Sequence, residues 1–291
     1  MSALRELLRS AIDYAGLFPP ASLSMEAAVR EYAEGRGGPH RWALARFVVP
    51  VARLDEFERA AGPMLSNRDP WPLTVLAGTD WVADVKAIGA LGARNRGVVV
   101  ESVEVKVGAP AEVERAAAVL RGGVPVFFEM PLAGPPGDFL APIARAHQRA
   151  KVRTGGERPE DIPSSAVLAR FLSACFDAGV AFKATAGLHH PVRRVAPLSP
   201  VPGSACARVH GFINLLLAAA FVFQEMDADE AAEVLDETDP AAFRFDEAGA
   251  AWGTRSVDAR SVAQARRTFL LGFGSCSFRE PIEALQRMGH R

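Results

Sequence analysis

Lysine is nearly absent from this chain: Lys86, Lys106, Lys151 and Lys183 are four among 33 basic residues. Arginine therefore covers the positive surface. Three of the four lysines lie in apolar, strand-like runs, an unusual place for a side chain that is seldom fully buried. Cysteine is scarce too. Cys175, Cys206 and Cys276 are odd in number and far apart, which fits reduced thiols better than a disulfide framework. No CxxC or HExxH spacing is present, so no metal motif is evident and no cofactor is implied. The net charge of −1 leaves no electrostatic footprint for nucleic acid or for a membrane surface. The longest apolar run, 212–223, contains Asn214 and is too short to cross a bilayer. The polar, amphipathic start of the chain lacks a signal-peptide pattern. A soluble, cytoplasmic protein is the expectation.

What is present is a core-forming composition: 291 residues, 49% hydrophobic, a length that α/β barrels use as one domain. Strand-like runs at 12–18, 46–50, 72–77, 97–107, 125–131, 150–156, 181–187 and 269–275 are each separated by a helical segment. Ser24 caps one such helix, Asp80 or Thr79 another, and Pro110 starts a third that runs to Arg121. Helices are also expected over 138–149 and 257–268. In the fourth strand Val103, Val105 and Val107 share one parity, and Ser102, Glu104 and Lys106 the other. In a parallel barrel the valines pack under helices and the polar set points inside. The pattern predicts an α/β fold, a (β/α)8 TIM barrel spanning 1–291 as a single domain. An insertion of helices and a hairpin over 192–256 comes before the last unit. An open doubly wound sheet is disfavoured, since no Gly-rich turn follows the first strand. Working residues of such a barrel sit at the C-terminal ends of its strands.

Lys151-Val152-Arg153-Thr154-Gly155 and Lys183-Ala184-Thr185-Ala186-Gly187 are two copies of one pattern, 32 positions apart, with a helix-like segment between. Strand–helix–strand without a hairpin makes the strands parallel and brings both lysines to one cavity. Two ammonium groups held together disfavour each other's charge, which moves at least one pKa toward neutrality. A neutral amine can attack a carbonyl and form a Schiff base.

The order of motifs resembles deoxyribose-phosphate aldolase, a class I aldolase family on this barrel. Ile12-Asp13 with Pro19, Phe47-Val48-Val49-Pro50, Val126-Phe127-Phe128-Glu129, Lys151-x-x-Thr154-Gly155, Lys183-x-x-x-Gly187 and Gly274-Ser275 carry the likeness. The resemblance implies Lys151 as imine-forming nucleophile and Lys183 as the cation that depresses its pKa. It also implies Gly274 and Ser275 at a phosphate-binding turn. The family's fourth-strand aspartate falls nearest Ser102, and Glu104 is the inward carboxylate that takes its place. With Glu129 it would move protons.

Around this pair, Asp13, Lys106, Arg153, Thr154, Gly155, Gly187, His189, His190, Gly274 and Ser275 are expected to contact substrate. Asp13 also suits orienting a lysine. His189 and His190 suit acid–base or anion contacts, and Arg153 with Arg193 and Arg194 suits a phosphate or carboxylate clamp. His210 heads a helix whose amides favour an anion. The functional expectation is a Schiff-base lyase for a small carbonyl compound, with or without a phosphate or carboxylate. Two alternatives stay open: a metal-dependent hydrolase or isomerase using His189, His190 and Glu129, and a non-catalytic small-molecule-binding barrel. The apolar helix after His210 must be buried, on the barrel or against another subunit, so a homo-oligomer is expected.

Overall fold

The structure, a computed structural model, describes residues 2–120 and 123–288. A short helix, α1 (Ala3–Leu8), precedes β1 (Ile12–Tyr14), α2 (Met25–Gly37), β2 (Leu44–Pro50), α3 (Leu54–Ala61) and β3 (Trp71–Leu76). The alternation continues with α4 (Trp81–Arg94), β4 (Val98–Lys106), α5 (Pro110–Val119), β5 (Val126–Glu129), α6 (Gly137–Arg145), β6 (Arg149–Arg153), α7 (Ser165–Asp177) and β7 (Phe182–Thr185). A hairpin of β8 (Arg194–Pro197) and β9 (Cys206–Val209) follows, then α8 (Phe212–Val222) and α9 (Ala228–Asp236). An antiparallel sheet of β10 (Phe243–Phe245), β11 (Gly249–Trp252) and β12 (Arg255–Asp258) leads to α10 (Ala259–Thr268), β13 (Leu270–Ser275) and α11 (Arg279–Arg287).

Strands β1 to β7 and β13 close into a parallel barrel in the order β1-β13-β7-β6-β5-β4-β3-β2. This is the expected (β/α)8 TIM barrel. The alternation in β4 is observed as read: Val103, Val105 and Val107 are buried under helices, Ser102 and Glu104 are buried on the other face, and Lys106 is exposed at the strand end. Four charged residues stand in register on adjacent strands, with Lys106 beside Glu129, Glu129 beside Lys151 and Lys151 beside Lys183. In-register neighbours of a parallel sheet project to the same side. The pairing alone therefore assembles a row of charge at one end of the barrel.

Ser24 Oγ accepts from Ala27 N and Asp80 Oδ1 from Ala83 N, so both expected caps form. The expected end of the 110-onward helix at Arg121 lies outside the described residues, and α5 is traced to Val119. Other boundaries differ from expectation. α6 stops at Arg145 because His147 turns into the left-handed region (φ 53°), and Arg149 already belongs to β6. Val257 is a strand residue, paired with Ala250 in β11, and the expected hairpin is a three-stranded sheet. The proline-rich loop after His190 holds the β8–β9 hairpin.

Every residue of α8 is buried, and the helix packs against α7, α9, α10 and β13 of its own chain. Its apolar surface is thus covered without a second subunit, which removes the reason for which an oligomer was expected. No helix among the described residues is long and apolar enough to cross a membrane.

The turns after β6 and β7 touch backbone to backbone. A Cβ on Gly155 would lie 2.9 Å from Gly187 Cα, and Gly187 itself has φ +76°. Neither neighbour is a side chain that can swing away. Gly155→Ala is expected to cost about 1–3 kcal/mol, read as a lower urea midpoint at unchanged slope.

Candidate active site

The charged row opens into a cavity of about 760 Å³ at the C-terminal ends of the strands, lined by Glu104, Lys106, Glu129, Lys151, Arg153 and Lys183 among others. Lys151 and Lys183 both sit in it, 6% and 2% exposed, so each ammonium depends on the protein for its counter-charge. Lys151 Nζ lies 2.6 Å from Glu104 Oε2 and 2.6 Å from Glu129 Oε2. Lys183 Nζ donates to Asp13 Oδ2 at 2.8 Å, is paired with Glu104 Oε1, and lies 4.6 Å from the centre of the Phe127 ring. Glu104 is thus the shared anion between the two amines. The outer acids have outer partners: Arg46 Nη1 is 3.4 Å from Asp13 Oδ1, and Arg153 Nε is 3.4 Å from Glu129 Oε1.

This arrangement corrects one expectation. Repulsion between the lysines does not leave Lys151 uncharged, because Glu104 and Glu129 both flank its amine. Burial alone would lower the Lys151 pKa, but Glu104 and Glu129 outweigh it and raise it above the ordinary lysine value. Burial likewise works against the Glu104 carboxylate, and the two lysines overcome it, holding its pKa at about 2. Glu129 is lowered as well: burial opposes, and Lys151 and then Arg153 prevail. Lys151, Glu104 and Glu129 are thus each held toward the charged form.

The other expected residues divide by what they touch. Lys106, Arg153, Gly155, Gly187, His189, His190 and Gly274 line the cavity. Asp13, 2% exposed, takes the orienting role: it holds Lys183 and accepts from Arg46 N at 3.2 Å. Thr154 does not face the cavity, because its Oγ1 donates to Ala186 O at 2.7 Å and ties the two glycine turns together. Ser275 Oγ is likewise used on its own turn, donating to Ser277 O at 2.7 Å. Ser102, at the position nearest the family's aspartate, bonds Thr74 (2.8 Å) in the barrel interior, while Glu104 reaches the lysines.

Arg193 and Arg194 form no clamp there. Arg193 pairs with Asp236 at 3.1 Å, and Arg194 is exposed on the hairpin. His210 is fully buried between Pro163 O (2.8 Å) and Arg193 Nη1 (3.1 Å), and burial drives its pKa down to about 4. It is a neutral strut, not an anion contact. Two of the three candidate metal ligands are engaged elsewhere: His189 with Glu280 and Cys276, Glu129 with Lys151 and Arg153. Among the described residues no group of three or more His, Cys, Asp or Glu side chains is placed to hold a metal ion.

Compared with known proteins, the chain matches no protein-family model and no curated protein. The site is therefore read from its own geometry. Sequence reasoning missed the apolar wall that faces the charges, formed by Ala196, Pro197, Leu198 and Val209 of the β8–β9 hairpin with Ile162 and Leu76. Its signal is a short alternation over 194–198, where Ala196 and Leu198 are buried and Val195 and Pro197 are exposed. Arg46 was missed as well; it lies in a strand that reads as apolar.

Proposed function

We propose that the protein is a Schiff-base-forming, aldolase-type lyase acting on a small carbonyl compound. The observation that carries this reading is the buried Lys151–Glu104–Lys183 array at the floor of an open cavity. Two buried ammonium groups contribute little to stability that apolar packing could not match. Their placement at the working end of a barrel favours a chemical role.

Lys151 is the nucleophile in this reading, since it is the more open of the two amines. Its excess proton has an acceptor at 2.6 Å in Glu129, which is shared only with the half-exposed Arg153. Glu104 is the poorer acceptor because it also neutralises Lys183. Proton transfer to Glu129 frees the amine, which attacks the carbonyl carbon. The resulting carbinolamine loses water to give the imine, with Glu129 returning its proton to the departing hydroxyl. The imine cation then draws electrons from the bond between the substrate's α and β carbons. The β-hydroxyl gives its proton to Glu129, the β-carbon leaves as a carbonyl, and the bond's electron pair forms an enamine on Lys151 that is reprotonated and hydrolysed. Glu104 is positioned to keep the imine cation paired. The apolar hairpin wall suits the hydrocarbon part of a substrate, and Lys106 and Arg153 suit an anionic end.

Sodium borohydride added with small aldehydes or keto acids should reduce the imine to a stable adduct. Peptide mass mapping is expected to place it on Lys151 and to find none in Lys151→Ala. Absence of an adduct with every carbonyl tested would remove the imine reading.

A further inference from the structure

The cavity contains a second set of groups that the lysine chemistry does not use. His189 follows the turn after β7 and Cys276 directly follows β13, so the two adjoining strands deliver an imidazole and a thiol to one rim of the cavity. Cys276 Sγ lies 3.9 Å from His189 Nε2, and His189 Nδ1 lies 2.8 Å from Glu280 Oε2 in the first turn of α11. The second contact is a charge contact rather than an aligned hydrogen bond. One ring nitrogen thus faces sulfur and the other faces a carboxylate. This is the order in which a base activates a nucleophile and an acid orients the base. Neither Cys276 nor His189 is paired with a member of the lysine array.

We propose that Cys276, His189 and Glu280 form a second nucleophilic centre, which captures an aldehyde as a reversible hemithioacetal. In this step the Cys276 thiolate forms a carbon–sulfur bond to the aldehyde carbon. The electron pair of the C=O π bond moves to oxygen, which takes the proton from His189 Nε2. Nothing is oxidised or reduced, and the reverse step restores thiolate, imidazolium and aldehyde. The centre does not depend on imine formation at Lys151. If both operate, one cavity holds two carbonyl carbons by covalent bonds, one at nitrogen and one at sulfur.

The surroundings favour the protonated imidazole. Burial opposes protonation of His189, but its contacts with Cys276 and Glu280 outweigh this and push its pKa up to about 9. Other titratable groups face the pair. His190, the adjoining residue, has its pKa lowered by burial and by Arg194, with a smaller push from Arg287. Tyr14 of β1 lies within electrostatic reach of Cys276 and donates to Glu31 at 2.9 Å. Glu280 is the acid that touches the ring.

The other cysteines are internal controls: Cys175 is fully buried and Cys206 is exposed on β9. Wild-type protein is treated with iodoacetamide at pH 6, where an ordinary thiol is less than about 1% ionised, and each cysteine is followed by peptide mass. Cys276 is expected to react about tenfold faster than Cys206 despite its burial. A rate equal to or below that of Cys206 overturns the proposal, and this measurement needs no variant. In His189→Gln the Cys276 rate at pH 6 should fall below that of Cys206; an unchanged rate would dissolve the pair. Millimolar propanal should slow alkylation of Cys276 equally in wild type and in Lys151→Ala. Protection that disappears with Lys151 would assign the aldehyde to the imine alone and sink the hemithioacetal. Protection that survives while borohydride labels no lysine would instead retain this centre and discard the lyase.

Discussion

Glu104→Gln is expected to lower stability by about 3–5 kcal/mol at pH 7, the cost of removing one partner from a buried ion pair. The substitution keeps the volume and removes only the charge, leaving Lys151 with Glu129 and Lys183 with Asp13. The pH dependence gives an independent measure. The Glu104 pKa is about 2 in the fold, against 4.5 for the ordinary group. A carboxyl depressed by folding stabilises the native state fully above its unfolded pKa and loses that contribution as pH falls through its folded pKa. At about 1.4 kcal/mol per unit, this amounts to roughly 3 kcal/mol, lost between about pH 4.5 and 2. Urea melts of wild type across that window should show the decline, and Glu104→Gln should be flatter there by about that amount. A variant less than about 1 kcal/mol below wild type at pH 7, with the same acid slope, would mean that the lysines do not share this anion.

Lys183→Met is expected to slow borohydride trapping at Lys151 by about ten- to a hundredfold at pH 7 and to move its pH optimum up by about one unit. The reason lies in the charge count. With Lys183 present, Glu104 divides its field between two cations; without it, Glu104 and Glu129 both act on Lys151 alone. Proton loss from Lys151 then becomes harder. On the proposed reading, Lys183 would assist the nucleophile by offsetting part of the negative charge around it. Asp13 keeps Arg46 as a partner in the variant, which limits the structural damage. An adduct that remains on Lys151 with an unshifted profile would remove Lys183 from the mechanism. A label that disappears at every pH in Lys183→Met but persists in Lys151→Ala would make Lys183 the nucleophile.

Much of the scaffold was legible because two periodicities are local. Alternation in β4 told the valine face from the Ser102, Glu104 and Lys106 face, and the spacing of Lys151 and Lys183 matched one βαβ unit. The charge state of those lysines was not legible. Their neutralising acids arrive from β1, β4 and β5, and only barrel closure brings Asp13 within 2.8 Å of Lys183, 170 residues away. Side-chain direction at the turns was equally hidden. Thr154 and Ser275 stand at expected positions, yet each spends its hydroxyl on a neighbouring carbonyl. The β8–β9 hairpin was masked by its prolines, and the end of α6 by a left-handed histidine that no propensity marks as a stop.

The hairpin that walls the cavity comes from the connection between β7 and β13, whereas the ionised floor is built by β1 and β4 to β7. On the proposed reading, selectivity and reactivity would be carried by separable stretches of polypeptide. A lineage could redraw residues 192–209 to admit a new guest while the proton-handling groups beneath stay as they are. The closed ring of strands would let it evolve one without renegotiating the other.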